Sequence, residues 1–138
     1  MDSVVHFEMP YENPNRMKTF YETAFGWQTQ TFGPEMGNYV LAMTTEAGPN
    51  GMPKNPGAIN GGFYERPSDP ADPAGQHPSV VIAVNDIHDA IRRIKEAGGK
   101  VLTEPMEIPT VGQYASFTDT EGNRLSILQP LPPAGASS

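Results

Sequence analysis

The sequence predicts an α+β fold made of two similar halves, and three observations support this prediction. A helix-like segment at residues 13–26 recurs at residues 86–99, with a constant offset of 73 positions (86 − 13 and 99 − 26). A short strand-like run precedes each segment, and further strand-like runs separated by turn formers follow it. A repeated pattern of this length indicates one structural unit used twice, and such folds usually bind a ligand between their repeats.

The first half begins with a strand and a helix. Alternation over Val4–Met9 places the odd-numbered apolar residues on one strand face, which we expect a helix to cover, and His6 and Glu8 on the other. Asn13, followed by a proline, is a suitable helix N-cap, and apolar residues recur at helical spacing until Gly26. We expect three aromatic side chains of this region to pack in the core, namely Phe20, Phe25 and Trp27.

Three more strands complete the first half, at Trp27–Phe32, Asn38–Thr45 and Ile59–Glu65. The Gly- and Pro-rich run Gly48–Gly57 is predicted to be a long irregular loop, for which a lid and an unconstrained surface segment are both open explanations. The pair Gly61-Gly62 in the last strand predicts a bulge or the close approach of a ligand or a neighbouring backbone.

The second half restarts the same order after a proline-rich linker at residues 66–78. Asp86 is predicted to cap its helix and Gly98-Gly99 to end it, while residues 119–123 predict a hairpin turn. The predicted strands are Ser79–Val84, Lys100–Thr103, Tyr114–Thr118 and Arg124–Leu128. We therefore expect a single domain over residues 1–131, with halves at 3–65 and 79–130, and a flexible tail at 132–138.

The composition argues against several classes of function. Nine Lys and Arg residues stand against sixteen Asp and Glu, and the net charge of -7 disfavours nucleic acid as a partner. The absence of cysteine excludes disulfides, thiolate metal sites and cysteine nucleophiles. No window approaches the ~18 apolar residues of a membrane span, and the first residues lack a secretory signal. We expect a cytoplasmic protein that does not bind membranes.

Three groups of motifs follow one another along the chain. The first group consists of His6–Pro10, Phe20–Glu22 and Phe25–Trp27. The second consists of Val84–Ile87 and Ala97–Val101, and the third of Phe117–Asn123 and Gln129-Pro130. In this order they resemble the vicinal oxygen chelate superfamily, which includes glyoxalase I, extradiol dioxygenases and bleomycin resistance proteins. Within it, Pro105–Pro109 before Gly112 resembles a subgroup of glyoxalase-related proteins.

The resemblance implies two tandem βαβββ modules whose mostly antiparallel sheets curl around a cup. It also implies a divalent metal held by His and Glu side chains from the first and last strands of the modules. The corresponding positions here hold His6, Ser79 and Ser126, with Asn60 as the polar side chain of the remaining region. Because a neutral serine hydroxyl is a poor ligand for a divalent ion, we expect no metal cofactor.

His6 and Glu8 are the candidates for acid–base chemistry, since an imidazole titrates near neutral pH with a reference pKa of ~6.5. A hydrogen-bonded interior histidine and an ion-paired glutamate are the alternative explanations. If a metal does bind, we expect a displaced set of His6, Glu8 and His77. The expected ligand-binding residues include His6, Asn60, Ser79 and Ser126, which occupy the positions that the resemblance implies. They also include Tyr114, Tyr39 and Met43, for which lining the cup and simply closing a sheet are both open explanations.

The resemblance and these candidate residues indicate two possible functions. The first is the binding of a small aromatic or carbonyl-bearing molecule without a metal, resembling the sequestering antibiotic-resistance members. The alternative is a lyase or isomerase resembling lactoylglutathione lyase, with His6 or Glu8 as general base and with or without a divalent metal. A dioxygenase is disfavoured because only one of its three iron ligands can be placed. A pure interaction domain has no sequence feature in its favour, and a homodimer is compatible with the resemblance.

Overall fold

The computed structural model describes residues 1–49, 53–69 and 76–132 of the chain. Within these residues the protein forms two α-helices and nine β-strands, which confirms the predicted α+β class. The chain divides into two compact units. The N-terminal unit is Val5–Ser79, and the C-terminal unit combines Met1–Val4 with Val80–Ser138.

The N-terminal unit contains one helix against a four-stranded sheet. Its elements are β1 (Val4–Tyr11), α1 (Pro14–Phe25), β2 (Gln28–Thr31), a 3₁₀ turn (Pro34–Met36), β3 (Val40–Met43) and β4 (Asn60–Glu65). The strand order is β2-β3-β4-β1, in which β1 and β4 run parallel and the other neighbours antiparallel. Helix α1 begins where the Asn13 side chain accepts a hydrogen bond from the Arg16 N–H (3.0 Å) and ends at Gly26 in the left-handed conformation.

The core of the N-terminal unit lies between α1 and one face of this sheet. Phe7, Met9 and Tyr11 of β1 pack in this core, as the alternation predicts, whereas Val5 is exposed. Four core side chains are buried, namely Tyr11, Val40, Ala42 and Phe63, and the half-buried residues packed against them are Phe7, Met9, Met17, Tyr21 and Trp27. His6 and Glu8 therefore lie on the opposite face of β1.

Two aromatic residues of α1 are not in this core, which corrects the expectation for Phe20 and Phe25. Their side chains are 57% and 64% exposed, whereas Trp27 packs against the core as expected. Viewed down the helix axis at 3.6 residues per turn, the midline of the packed face passes between Met17 and Tyr21. Phe20 lies roughly 80° from this midline on one side, and Phe25 lies roughly 60° from it on the other. The apolar stripe of α1 is thus wider than the surface that the sheet covers.

The C-terminal unit has the same order of elements with one additional strand. These are β5 (Ser79–Ala83), α2 (Ile87–Glu96), β6 (Lys100–Val101), β7 (Met106–Ile108), β8 (Gly112–Thr118) and β9 (Arg124–Pro130). The strand order is β5-β9-β8-β6, with β7 also paired to β8, and only β5 and β9 run parallel. Strand β7 was not predicted because three residues between prolines carry too short an alternation to be recognised.

The buried core of the C-terminal unit consists of Val84, Ile87, Ala90, Ala115, Phe117 and Ile127. Asp86 caps α2 by accepting hydrogen bonds from the N–H groups of His88 and Asp89, as predicted. The first residues of the chain are held to this unit, because Ser3 accepts a hydrogen bond from the Ala83 N–H (2.9 Å) and Asp2 pairs with Arg93 (3.3 Å).

Parts of three predicted segments lie outside the described residues, namely 50–52 of the loop, 70–75 of the linker and 133–138 of the tail. In the described part of the loop, Pro53 forms an isolated β-bridge with Ala47. Among the described helices, none has the length and apolar character needed to cross a membrane.

Candidate functional site

His6 and Tyr39 form a hydrogen-bonded pair on the polar face of β1. The His6 Nε2 and Tyr39 Oη atoms lie 2.9 Å apart, and both side chains are half-buried. In a neutral imidazole this contact has two forms, with the phenol donating to Nε2 or with Nε2–H donating to the phenol oxygen. Both residues were predicted to bind a ligand, but their contact with each other was not predicted.

The absence of a side chain at Gly62 allows Tyr39 to reach His6. Gly62 lies opposite Glu8 in the β1–β4 register, and a Cβ atom added to it would overlap the Tyr39 phenol. On the other face of β4, a Cβ atom on Gly61 would overlap the Phe7 ring. The predicted close approach at these two glycines is therefore made by aromatic side chains of the same unit, and it is not made by a neighbouring backbone.

Burial lowers the pKa of His6 below its usual value of 6.5, because the charged imidazolium loses hydration. The nearby Glu8 carboxylate acts in the opposite direction and is the weaker influence. Glu8 is only 7% exposed and lies two residues from His6 on the same strand face. The imidazole is consequently neutral at neutral pH and able to accept a proton.

Asn60 has a structural contact in addition to its place opposite His6 in the sheet register. Its side-chain oxygen accepts hydrogen bonds from the backbone N–H groups of Thr44 (2.9 Å) and Thr45 (3.3 Å). This contact holds the chain just after β3, beside the half-buried Met43. The Asn60 amide oxygen is therefore already engaged within the protein.

A second polar group lies on the sheet of the C-terminal unit. The Tyr114 Oη and Ser126 Oγ atoms are 2.5 Å apart, and Ser126 is fully buried. The Arg124 guanidinium donates a longer hydrogen bond of 3.4 Å to the Tyr114 phenol oxygen. Arg124 was not among the predicted site residues, although its position two residues before Ser126 places both side chains on one face of β9.

The side chains at the implied metal-ligand positions do not suit a divalent ion. Ser79 and Ser126 are buried neutral hydroxyls, and the Ser126 hydroxyl is bonded to Tyr114. The Asn60 oxygen and one ring nitrogen of His6 are also engaged in hydrogen bonds. Divalent ions require deprotonated or strongly donating ligands, so this donor set is a poor match.

The displaced metal set is not assembled either. Within residues 1–49, 53–69 and 76–132, no group of three His, Asp or Glu side chains could hold a metal ion. His77 is exposed, whereas Glu8 is buried and His6 half-buried. The structure thus does not bring His6, Glu8 and His77 together as the alternative required.

Known proteins match this chain over most of its length. The model of the Glyoxalase/Bleomycin resistance protein/Dioxygenase superfamily matches residues 3–127. Two curated relatives, from Mycobacterium bovis and Mycobacterium tuberculosis, both carry the name "Putative glyoxylase CFP32" and are 30% identical over 128 residues. The matched region covers 91% of this chain but 43% of each relative, so the chain spans less than half of their length.

Solved structures of similar fold cover nearly the entire chain. A methylmalonyl-CoA epimerase in complex with methylmalonyl-CoA and NH4+ has a TM-score of 0.68 at 14% identity, over 96% of this chain and 97% of the epimerase. A hypothetical protein, BH1468 from Bacillus halodurans, has a TM-score of 0.66 at 16% identity, over 98% of this chain and 99% of its own. A methylmalonyl-CoA epimerase from Streptomyces coelicolor has a TM-score of 0.66 at 14% identity, over 94% and 97%. At such identities the similarity shows the fold alone.

Proposed function

Because this chain belongs to the Glyoxalase/Bleomycin resistance protein/Dioxygenase superfamily, we propose that it binds a small organic molecule at the polar β1 face without a divalent metal. The observation that carries this proposal is the His6–Tyr39 pair beside the buried Glu8. A neutral imidazole, a phenol and a carboxylate therefore lie on one face of the sheet. A small number of polar groups in such an arrangement is what orients a ligand in a binding site.

The chemistry of the β1 face favours a ligand that is planar and carries a carbonyl or hydroxyl group. The Tyr39 ring presents an aromatic surface, and its hydroxyl and the His6 ring can exchange hydrogen bonds with an oxygen atom of the ligand. Leu41 lies opposite Gly62 in the β3–β4 register and adds apolar surface on the same side of the sheet. Recognition would thus combine stacking or apolar contact with one or two hydrogen bonds.

We propose a site without a metal because the side chains available there are poor ligands for a divalent ion. Ser79 and Ser126 bring no negative charge to offset a divalent ion, and the Asn60 oxygen is engaged by two backbone N–H groups. Metal analysis of protein purified without chelator tests this part. A stoichiometric, tightly bound metal would contradict it.

Ligand binding is tested by thermal-shift screening of aromatic and carbonyl-bearing metabolites and antibiotics. A ligand at 100 times its Kd should stabilise the protein by ~2.7 kcal/mol, which is measurable as a shift in Tm. The shift should disappear in His6→Ala and shrink in Tyr39→Phe, while His88→Ala, which alters an exposed histidine of α2, should leave it unchanged. The absence of any shift across a broad library would contradict the proposal and favour an interaction domain.

A second candidate function is a proton-transfer isomerase or lyase, and the neutral state of His6 favours it. A general base must be unprotonated at working pH, which the lowered pKa of His6 permits. In such a reaction His6 or Glu8 would remove a proton from the carbon next to a carbonyl, and the protonated base would return it to the resulting enolate. The Tyr39 hydroxyl could stabilise the enolate oxygen by donating a hydrogen bond.

The isomerase candidate is tested by hydrogen exchange at the reacting carbon. Carbonyl compounds, including CoA thioesters because of the epimerases of similar fold, would be incubated with the protein in deuterated water and followed by NMR. Catalysed deuterium incorporation that is lost in His6→Gln or in Glu8→Gln would support this function and identify the base. Incorporation that persists unchanged in both variants would exclude these residues as the base.

A further inference from the structure

A groove lies on the α1 side of the N-terminal unit, away from the face that carries His6. Its volume is about 630 Å³, which is within the usual range of small-molecule sites. It is adjacent to a second groove of about 820 Å³, and the two share Tyr11, Glu12, Arg66 and Gln76 in their walls. Because Met9 and Tyr11 belong to the helix-facing side of β1, this groove is separate from the proposed site at His6.

One wall of the groove is aromatic and partly open to solvent. Phe20 is 57% exposed, and its ring packs perpendicular to that of Tyr21 at a centroid distance of 5.0 Å. Tyr21 is itself stacked on Trp27 (4.7 Å) and lies 5.1 Å from the buried Phe63. The Phe20 ring is therefore backed by a packed aromatic cluster and presents its remaining surface to the groove.

Among the described residues that line the groove, two are arginines and one is a glutamate. Arg16 and Arg66 both approach the Glu12 carboxylate, at 3.9 Å and 3.5 Å, so that two cations share one anion. Within the part of the chain that the structure describes, the lining of this groove thus holds two positive charges and one negative charge, whereas the whole chain has a net charge of -7. A local excess of this sign attracts an anion to the groove.

We propose that this groove binds a small organic anion with an aromatic body. The ring packs against Phe20 and Tyr21, where apolar surface is available, and the acidic group lies near the guanidinium groups of Arg16 and Arg66. Arginine is suited to this contact because its planar fork matches a carboxylate or sulfonate. The ligand class is accordingly an aromatic carboxylate or sulfonate.

The test uses the fluorescent probe 1-anilinonaphthalene-8-sulfonate, an aromatic sulfonate, titrated into the full chain. Phe20→Ala should weaken binding about three- to tenfold through loss of one aromatic contact. Phe25→Ala is the matched control, because Phe25 is equally exposed on the same helix but does not line the groove. Arg66→Gln should also weaken binding and reduce its dependence on salt, whereas Lys18→Gln, on α1 outside the groove, should not.

Two further measurements decide where the probe binds. His6→Ala should leave the affinity for the probe unchanged, since His6 lies on the other face of β1. Equal weakening by Phe20→Ala and Phe25→Ala, or loss of binding in His6→Ala, would overturn the proposal. Sedimentation that shows a dimer dissociated by Phe20→Ala, with no probe bound, would assign the groove to a second copy of the chain and would also overturn it.

Discussion

Replacing Gly62 with alanine tests whether the His6–Tyr39 pair depends on the missing side chain at this position. The added methyl group would overlap the Tyr39 hydroxyl and ring, whereas non-bonded carbon atoms normally keep about 3.5–4.0 Å apart. The phenol must therefore move away from His6, and the 2.9 Å hydrogen bond is lost. Overpacking costs about 1–3 kcal/mol and a lost hydrogen bond about 1 kcal/mol, so we expect a total of about 2–4 kcal/mol.

Urea unfolding and NMR titration measure the two consequences of Gly62→Ala. With a typical urea dependence, the unfolding midpoint should fall by roughly 1–2 M. The pKa of His6 should rise toward 6.5, because displacement of the phenol admits water to the imidazole. Gly61→Ala is the matched control, since its methyl group strikes Phe7 on the other face and should destabilise the protein without changing the His6 pKa.

A double-mutant cycle with Tyr39→Ala provides the decisive comparison. Once the ring is removed, Gly62→Ala should cost less than about 0.5 kcal/mol, because the three atoms nearest to the added methyl group all belong to Tyr39. If the substitution costs the same in both backgrounds, or if the pKa of His6 stays unchanged, the role assigned to Gly62 is wrong.

Three further predictions follow from burial and hydrogen bonding. Because the folded state lowers the pKa of His6 below 6.5, its contribution to stability is complete above about pH 6.5 and is lost as the pH falls through the folded value. His6→Gln should therefore flatten the pH dependence of urea unfolding below about pH 6.5 and leave it unchanged above that pH. An unaltered slope below about pH 6.5 would contradict this. Tyr114→Phe should destabilise the protein by about 1–3 kcal/mol by leaving the buried Ser126 hydroxyl without its phenol partner. Adding Ser126→Ala should recover part of that loss, and a neutral Tyr114→Phe would count against the contact. Phe63→Ala should cost about 3–5 kcal/mol because Phe63 is 1% exposed. Phe20→Ala should cost only about 0.5–1.5 kcal/mol, because Phe20 is 57% exposed and loses its ring contacts with Tyr21 and Phe25. Similar losses for the two would show that the burial assignment is wrong.

Much of the fold could be predicted from the sequence because its signals are local. The caps of α1 and α2, at Asn13 and Asp86, and the alternation of β1 each depend on residues only a few positions apart. The resemblance to the superfamily is confirmed by the match over residues 3–127. Local signals failed at β7, which has three residues, and at Phe20 and Phe25, whose exposure depends on how much of the helix the sheet covers.

The candidate site was predictable only in part. Alternation in β1 placed His6 and Glu8 on one face, but the partner of His6 is Tyr39, which is 33 residues away and lies just before β3. The structural role of Asn60 and the approach of Arg124 to Tyr114 were also missed. Each of these contacts joins separate segments, so it depends on strand register and on side-chain direction.

The sequence alone determined the α+β class, the repeated order of elements and the polar face of β1, because hydrophobic periodicity and capping act within one turn or one strand. Only the tertiary structure decided that Tyr39 passes over Gly62 to reach His6, and that Phe20 faces a groove rimmed by Arg16 and Arg66. These arrangements depend on the register of β1, β3 and β4 and on the packing of α1, which bring together residues far apart in the chain. Burial then lowers the pKa of His6, so that a residue type visible in the sequence acquires its protonation state from the fold.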